Sequence, residues 1–200
     1  MVLGVALVLF IVGNARAQLP LGFGVKGGVA VTDAFENNTF TYENRATATI
    51  VVHNYSPSKD YVVGPFIELR LPFGLGVEAD ALYRQLHFAT IDTGSTSPYE
   101  IRSTSWEFPI LAKYRFKFPV ARPYVDAGPS FRTSSNTFSG STLSHHGFAA
   151  GVGVDIKALL LHISPEIRYT RWGADTIPVG ATAPPYSNKN QVELLVGIGF

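Results

Sequence analysis

Few residues in this 200-residue chain carry spacing that chemistry could use. His162, Ser164 and Glu166 bring base, nucleophile and acid types to one face of an extended segment. Alternate residues of a strand lie about 7 Å apart. That is too far for the hydrogen-bond contacts of a nucleophilic triad, so the spacing predicts no catalytic site. Adjacent residues such as His145 and His146 point apart, and no third ligand accompanies them at a metal-site interval. His53 and His87 stand alone. Lys26-Gly27-Gly28 lies within an alternating segment with no helix after it, so it is not a phosphate loop. The chain has no cysteine, which excludes disulfides, thiol catalysis and Cys-ligated metal. No cofactor is expected. A net charge of +1 gives no electrostatic case for nucleic acid.

What remains is a set of charges on one parity of alternating segments. Charged residues are only 16% of the chain, against roughly 25% in an ordinary soluble domain. Period-two alternation dominates after residue 18. Tyr61, Val63, Pro65, Ile67, Leu69 and Leu71 oppose Val62, Gly64, Phe66, Glu68 and Arg70. Similar patterns run through Leu19–Val31, Leu75–Tyr83, Trp106–Phe116, Pro123–Phe131, Phe148–Ile156, Leu161–Tyr169 and Val192–Phe200. These predict eight strands, most near the 9–11 residues a tilted strand needs to cross a bilayer. Short connections lie around Pro72–Gly74, Phe118–Val120 and Lys157-Ala158, and long polar ones around 34–60, 89–104, 133–146 and 173–189. Short and long alternate strictly, as in an up-and-down meander. With nothing to cover an open edge, the expected fold is all-β: a closed eight-stranded antiparallel transmembrane barrel over residues 18–200.

Residues 1–17 are read as an address. Val2–Val12 is an apolar run too short to span a bilayer as a helix, and Ala15-Arg16-Ala17 fits a small-residue cleavage site. No basic residue precedes the run, which is unusual for an export signal.

Alternation alone leaves the buried face open: a soluble carrier would turn the apolar parity inward around a ligand. Glycines on the polar parity, an apolar parity almost free of charge, aromatics near both strand ends, the export signal and a terminal Phe200 favour lipid outside. The polar parity then becomes the interior. It holds Glu68, Glu78, Asp80, Glu107, Asp126, Asp155, Glu166 and Glu193 against Lys26, Arg70, Arg84, Lys113, Arg115, Arg132 and Arg168, with His162. An eight-strand barrel has room for little beyond its own side chains. Near-equal numbers permit a paired, filled interior rather than an open pore.

Gly76–Arg84 (GVEADALYR), Trp106–Tyr114 (WEFPILAKY), Arg122–Ser130 (RPYVDAGPS) and the closing Gly197-Ile198-Gly199-Phe200 resemble the bacterial outer membrane protein beta-barrel domain family, the small group similar to OmpA and OmpX barrels. The resemblance implies residence in the bacterial outer membrane and insertion by the barrel assembly machinery, with Phe200 as the assembly signal. Unlike OmpA, the chain has no peptidoglycan-binding domain after the barrel, so no cell-wall tether is expected. The expected role is that of a monomeric structural or interaction protein in outer-membrane lipid. Its long loops, above all 34–60, could meet an extracellular ligand. The alternatives are a narrow porin or small-solute channel, and a lipid-modifying barrel enzyme.

Overall fold

The computed structural model describes residues 20–33, 36–43, 49–56, 61–93, 97–134, 143–158, 160–174 and 188–200. The export segment and its cleavage site lie outside them. The strands are β1 (Leu21–Ala30), β2 (Asn38–Glu43), β3 (Thr49–Tyr55), β4 (Tyr61–Arg70), β5 (Leu75–Asp80), β6 (Leu82–Asp92), β7 (Tyr99–Arg115), β8 (Ala121–Ser134), β9 (His146–Ala158), β10 (Leu161–Trp172) and β11 (Asn190–Gly199). Antiparallel pairing runs β1-β4-β5/β6-β7-β8-β9-β10-β11 and returns to β1. β5 and β6 form one crossing segment, so the wall is a closed eight-stranded barrel. Closure removes the open edge that alternation alone would leave in lipid.

The apolar parity faces outward. Phe23, Ile67, Val152 and Ile167 are each more than half exposed, whereas Glu78 and Arg168 are 2% and 1% exposed. Val77, Ile110 and Leu194 also point out. Aromatic rings mark both margins of this band. Tyr61, Tyr83 and Trp106 form a chain at the long-loop end, with centroids 6.4 and 5.5 Å apart. Phe23 meets Phe200 at 5.9 Å, and Tyr114 meets Phe116 at 5.1 Å, at the short-turn end. Such girdles bracket the apolar belt of membrane barrels.

The break between β5 and β6 has a local cause. The Ala81 amide donates to the Pro65 carbonyl at 2.9 Å, but Pro65 has no N–H to return to Ala81. The register resumes on either side, at Phe66↔Asp80 and Val63↔Tyr83. The Ala81 carbonyl leans over Gly64, where a Cβ would overlap it. Only glycine tolerates that approach beside the proline.

Two expectations about connections need correction. Segment 34–60 contains a hairpin, β2–β3, and β3 pairs with the upper part of β6 from Val52↔Asp92 to Tyr55↔Ala89. Segment 89–104 is mostly strand, because β6 and β7 stay paired up to Thr90↔Tyr99. Together β2, β3, β6 and β7 form a sheet that continues the wall beyond the aromatic girdle. Asn, Thr, Ser and His interrupt the apolar residues here, among them Val51, Val52 and Leu86, so no clean alternation marks a strand and the segments read as loop. Their backbone groups are satisfied by pairing with one another rather than by water.

Ile167→Arg puts a charge on the lipid face near mid-barrel and should destabilise the folded barrel by about 2–4 kcal/mol, whereas Leu71→Arg at the turn margin should cost about 0–1 kcal/mol. Urea unfolding of the barrel refolded in lipid vesicles measures both.

Candidate functional site: the charged interior

Each interior charge is delivered by a strand whose alternate residues face lipid, so its position is fixed by the wall. The central group joins five crossing segments. Lys26 on β1 donates to Glu78 at 2.5 Å, Glu166 at 3.0 Å and Asp80 at 3.3 Å. Those acceptors sit two crossing segments away on either side. Arg168 on β10 donates to Glu166 at 2.6 Å and to Asp80 at 2.7 Å. β10 and β5 are four crossing segments apart in a ring of eight, so the Arg168–Asp80 bond spans the full bore. Lys113 bonds Glu78 and lies 3.8 Å from Asp126. The Tyr124 hydroxyl donates to Glu166 at 3.1 Å, and the Lys113 ammonium sits 4.3 Å from the Tyr124 ring centroid. Gly153, the partner of Tyr124 on the adjacent strand β9, lies under that ring, where a Cβ would strike it.

A second group lies toward the short turns. Arg115 bonds Glu68 and reaches Asp155 at 3.2 Å. His162 Nδ1 is 2.9 Å from Asp155. Arg70, partly exposed, lies 3.7 Å from Glu68 and donates to the Phe200 carbonyl at 3.3 Å. The pocket among these side chains has about 10 Å³ of room, enough for about one water.

The third group lies toward the loops. Arg84 donates to Gln191 at 2.8 Å and Glu193 at 3.1 Å, with Glu107 at 3.7 Å. Trp172 Nε1 donates to Gln191 at 2.9 Å. Arg132 stacks on Trp172, 4.3 Å from the ring centroid, and donates to the Ser144 carbonyl at 2.6 Å. Below Arg84, the apolar side chains of Val62, Leu82 and Leu195 pack together inside the barrel.

The structure thus places Lys26, Glu68, Glu78, Asp80, Arg84, Glu107, Lys113, Asp126, Arg132, Asp155, Glu166, Arg168 and Glu193 in the buried interior, with Arg70, Arg115 and His162 at its turn-side margin. Glu78, Asp126 and Glu166 bring carboxylate oxygens within 4.8 Å of one another, the arrangement a cation could use. Lys26, Lys113 and Arg168 already neutralise that space. Asp126 differs from the rest: its oxygens accept no hydrogen bond among the described residues. His162, Ser164 and Glu166 form no triad. Their partners are Asp155, the Gly197 carbonyl, and the Lys26–Arg168 pair. Of the other histidines, His53 Nδ1 lies 2.9 Å from Thr39 Oγ1, and His145 Nδ1 lies 3.1 Å from the Arg132 carbonyl. Among the loop aromatics, Phe40 is half-buried in the hairpin, while Phe35 and the Tyr42 side chain fall outside the described residues.

A closed antiparallel barrel with an apolar outer wall has known counterparts. Residues 14–173 match the model of the outer membrane protein beta-barrel domain. The chain belongs to this family. It is therefore a transmembrane β-barrel of the bacterial outer membrane. The outer membrane protein OprG from Pseudomonas aeruginosa is similar in fold, with a TM-score of 0.57 and 15% identity over 89% of this chain and 94% of that one. A search of curated proteins gives no match.

Gln191, Trp172 and Tyr124 are interior residues that the charge pattern did not single out. Extending the β10 alternation from Arg168 through Thr170 puts Trp172 on the inward parity. The alternation read from the sequence stops at Thr170, so Trp172 is not placed on either face.

Arg168→Met leaves Asp80 and Glu166 without their strongest partner and should destabilise the barrel by about 3–5 kcal/mol. Adding Asp80→Asn should restore part of that loss. Urea unfolding of both variants and of Asp80→Asn alone gives the coupling through a double-mutant cycle.

Proposed function

We propose that this outer-membrane barrel is a closed, non-catalytic scaffold that works through its surfaces at the two ends rather than through its bore. The observation that carries this reading is the Arg168–Asp80 bond between opposite walls, backed by full burial of Lys26, Arg84, Leu82, Tyr124 and Leu195. A solute would have to part charge pairs sealed from water, and exposing one unpaired charge there costs several kcal/mol. The loop end is covered as well, because Leu143 and Ser144 are buried beside Arg132 and Trp172.

On this reading the assembly machinery engages the terminal strand through Phe200, and outer-membrane lipid is the surrounding partner. The sheet extension of β2, β3, β6 and β7 is the platform offered to an extracellular ligand, and the barrel acts as a monomer. No lipid chemistry is assigned, since the nucleophile–base–acid set that the sequence offers on one strand face, Ser164, His162 and Glu166, is dispersed into structural bonds.

Two measurements test this. The mature chain in planar bilayers should show no large steady conductance; such a current would overturn the closed interior and establish a porin. Replacing Asn38–Tyr55 by a short turn should leave a folded, heat-modifiable band on gels, because among the described residues the hairpin's ladder to the barrel runs along the upper end of β6.

A further inference from the structure

The lipid-facing wall has a gap that neither the closed bore nor the loop platform uses. In an antiparallel ladder a hydrogen-bonded pair exchanges two bonds, so a proline in such a pair leaves its partner's carbonyl without a donor. The Phe116 amide donates to the Pro123 carbonyl at 2.9 Å, so Pro123 turns its backbone toward β7 and away from β9. Its register partner Val154 therefore turns its own N–H and carbonyl the other way, toward β10. The pairs Ile163↔Ile156 and Glu166↔Gly153 set Pro165 opposite Val154. Pro165 has no N–H to give, and the ladder skips this pair. The Val154 carbonyl is thus left without a ladder donor, between two prolines on the lipid-facing parity.

A groove of about 800 Å³ runs past this carbonyl on the outside of the wall. One bank is the row from Pro123 through Val154 and Pro165 to Val196. The other is the register row from Val125 through Val152, Ile167 and Leu194 to Val29. Val154 is four residues short of Ala158, where β9 ends at a short turn, and Phe116 of the turn-side aromatic girdle lines the groove beside Pro123. Val29 lies next to Ala30, the loop-side end of β1. The groove therefore climbs from the turn margin into the apolar belt. Short turns face the periplasm in barrels of this kind, so the Val154 carbonyl sits close to the headgroups of the periplasmic leaflet. An unsatisfied backbone carbonyl is costly beside hydrocarbon, and whatever fills this groove is favoured if it brings a donor.

We propose that the groove seats one phospholipid of the periplasmic leaflet whose headgroup carries N–H donors. Its primary ammonium bonds the Val154 carbonyl, and an acyl chain lies along the groove toward Val29. A choline headgroup is excluded, because its quaternary nitrogen has no N–H. A charged donor makes a stronger bond than water does, and the groove takes a tail that water and a free amine both lack. The bore is not involved: behind the wall, Glu166 and Tyr124 are bonded to each other, and Glu166 also to Lys26 and Arg168. The wall supplies its own control, since the β7–β8 ladder skips Ile110 and Pro129 in the same way, outside the groove.

The test refolds the barrel in vesicles of equal parts phosphatidylethanolamine and phosphatidylcholine with identical acyl chains, extracts it in mild detergent, and quantifies the retained lipid by mass spectrometry. Phosphatidylethanolamine should be retained roughly ten-fold over phosphatidylcholine. Pro165→Val returns an N–H to the ladder and should erase that preference. Pro129→Val makes the same repair outside the groove and should keep it. Heat-modifiable gel mobility confirms that each variant is folded. Equal retention of the two lipids by the wild type overturns the proposal, with water then the donor. A preference that survives Pro165→Val overturns it as well, and so does an equal loss in Pro129→Val. Displacement of phosphatidylethanolamine by millimolar ethanolamine overturns it in favour of a free-amine site. The wild-type comparison needs no variant, so it decides even where Pro165→Val does not fold. Failure here leaves the closed bore untouched, because conductance reads a different part of the molecule.

Discussion

Everything in this molecule depends on neutralising charge inside a cylinder too narrow for water to do it. An eight-strand barrel leaves space for side chains and little solvent, and an ion removed from water without a partner costs several kcal/mol. The strands answer with carboxylates and cations that meet across the bore, not merely along neighbouring strands. Lys26 reaches two segments in each direction, Arg115 likewise bridges β4 and β9, and Arg168 reaches the opposite wall. Each bond ties together parts of the chain far apart in sequence. The network therefore specifies closure of the cylinder, while the apolar parity needs only hydrocarbon around it.

The same constraint explains why a high-energy arrangement is kept in the middle of a membrane protein. An apolar filling would be adequate for stability, since replacing buried ion pairs by packed hydrophobic groups is often neutral. Such a chain would lack a difference between its two faces, however, and a one-residue slip would exchange them without penalty. Charge on alternate residues makes every slip by an odd number of residues expose ions to lipid. Val77 beside Glu78, and Ile167 beside Glu166 and Arg168, show how sharply one step separates the two environments.

Much of this was readable before any coordinates, because the strand repeat is two and each interior charge declares its own parity. Orientation, strand number within the membrane and the composition of the interior all follow from that period. Pairing did not follow. Which carboxylate faces Arg168 depends on how far the sheet is sheared before it closes, a property of the whole ring rather than of any segment. The extension formed by β2, β3 and upper β6 and β7 was also hidden. Once a strand leaves the bilayer it no longer needs an apolar side, and Asn, Thr and Ser on both parities look like loop. Tyr124 lay on the inward parity but carries no charge to mark it, and Trp172 lies two residues past the stretch of alternation read for its strand, so neither stood out as interior filling.

Filling the bore has a further consequence for where activity can reside. β10 is bonded to β5 through the centre, and Arg132 stacks on Trp172 toward the loop end, so the lumen between the two mouths is crossed by side-chain contacts. The ends are coupled only through a stiff wall, so each can be shaped independently. They have been shaped differently: paired strands with polar faces rise at the loop end, while short turns carrying Arg70, Lys117, Arg122 and Lys157 crowd the other. Here one end is an extension of paired strands and the other a rim of short turns rich in cations, so the two mouths differ in both shape and charge.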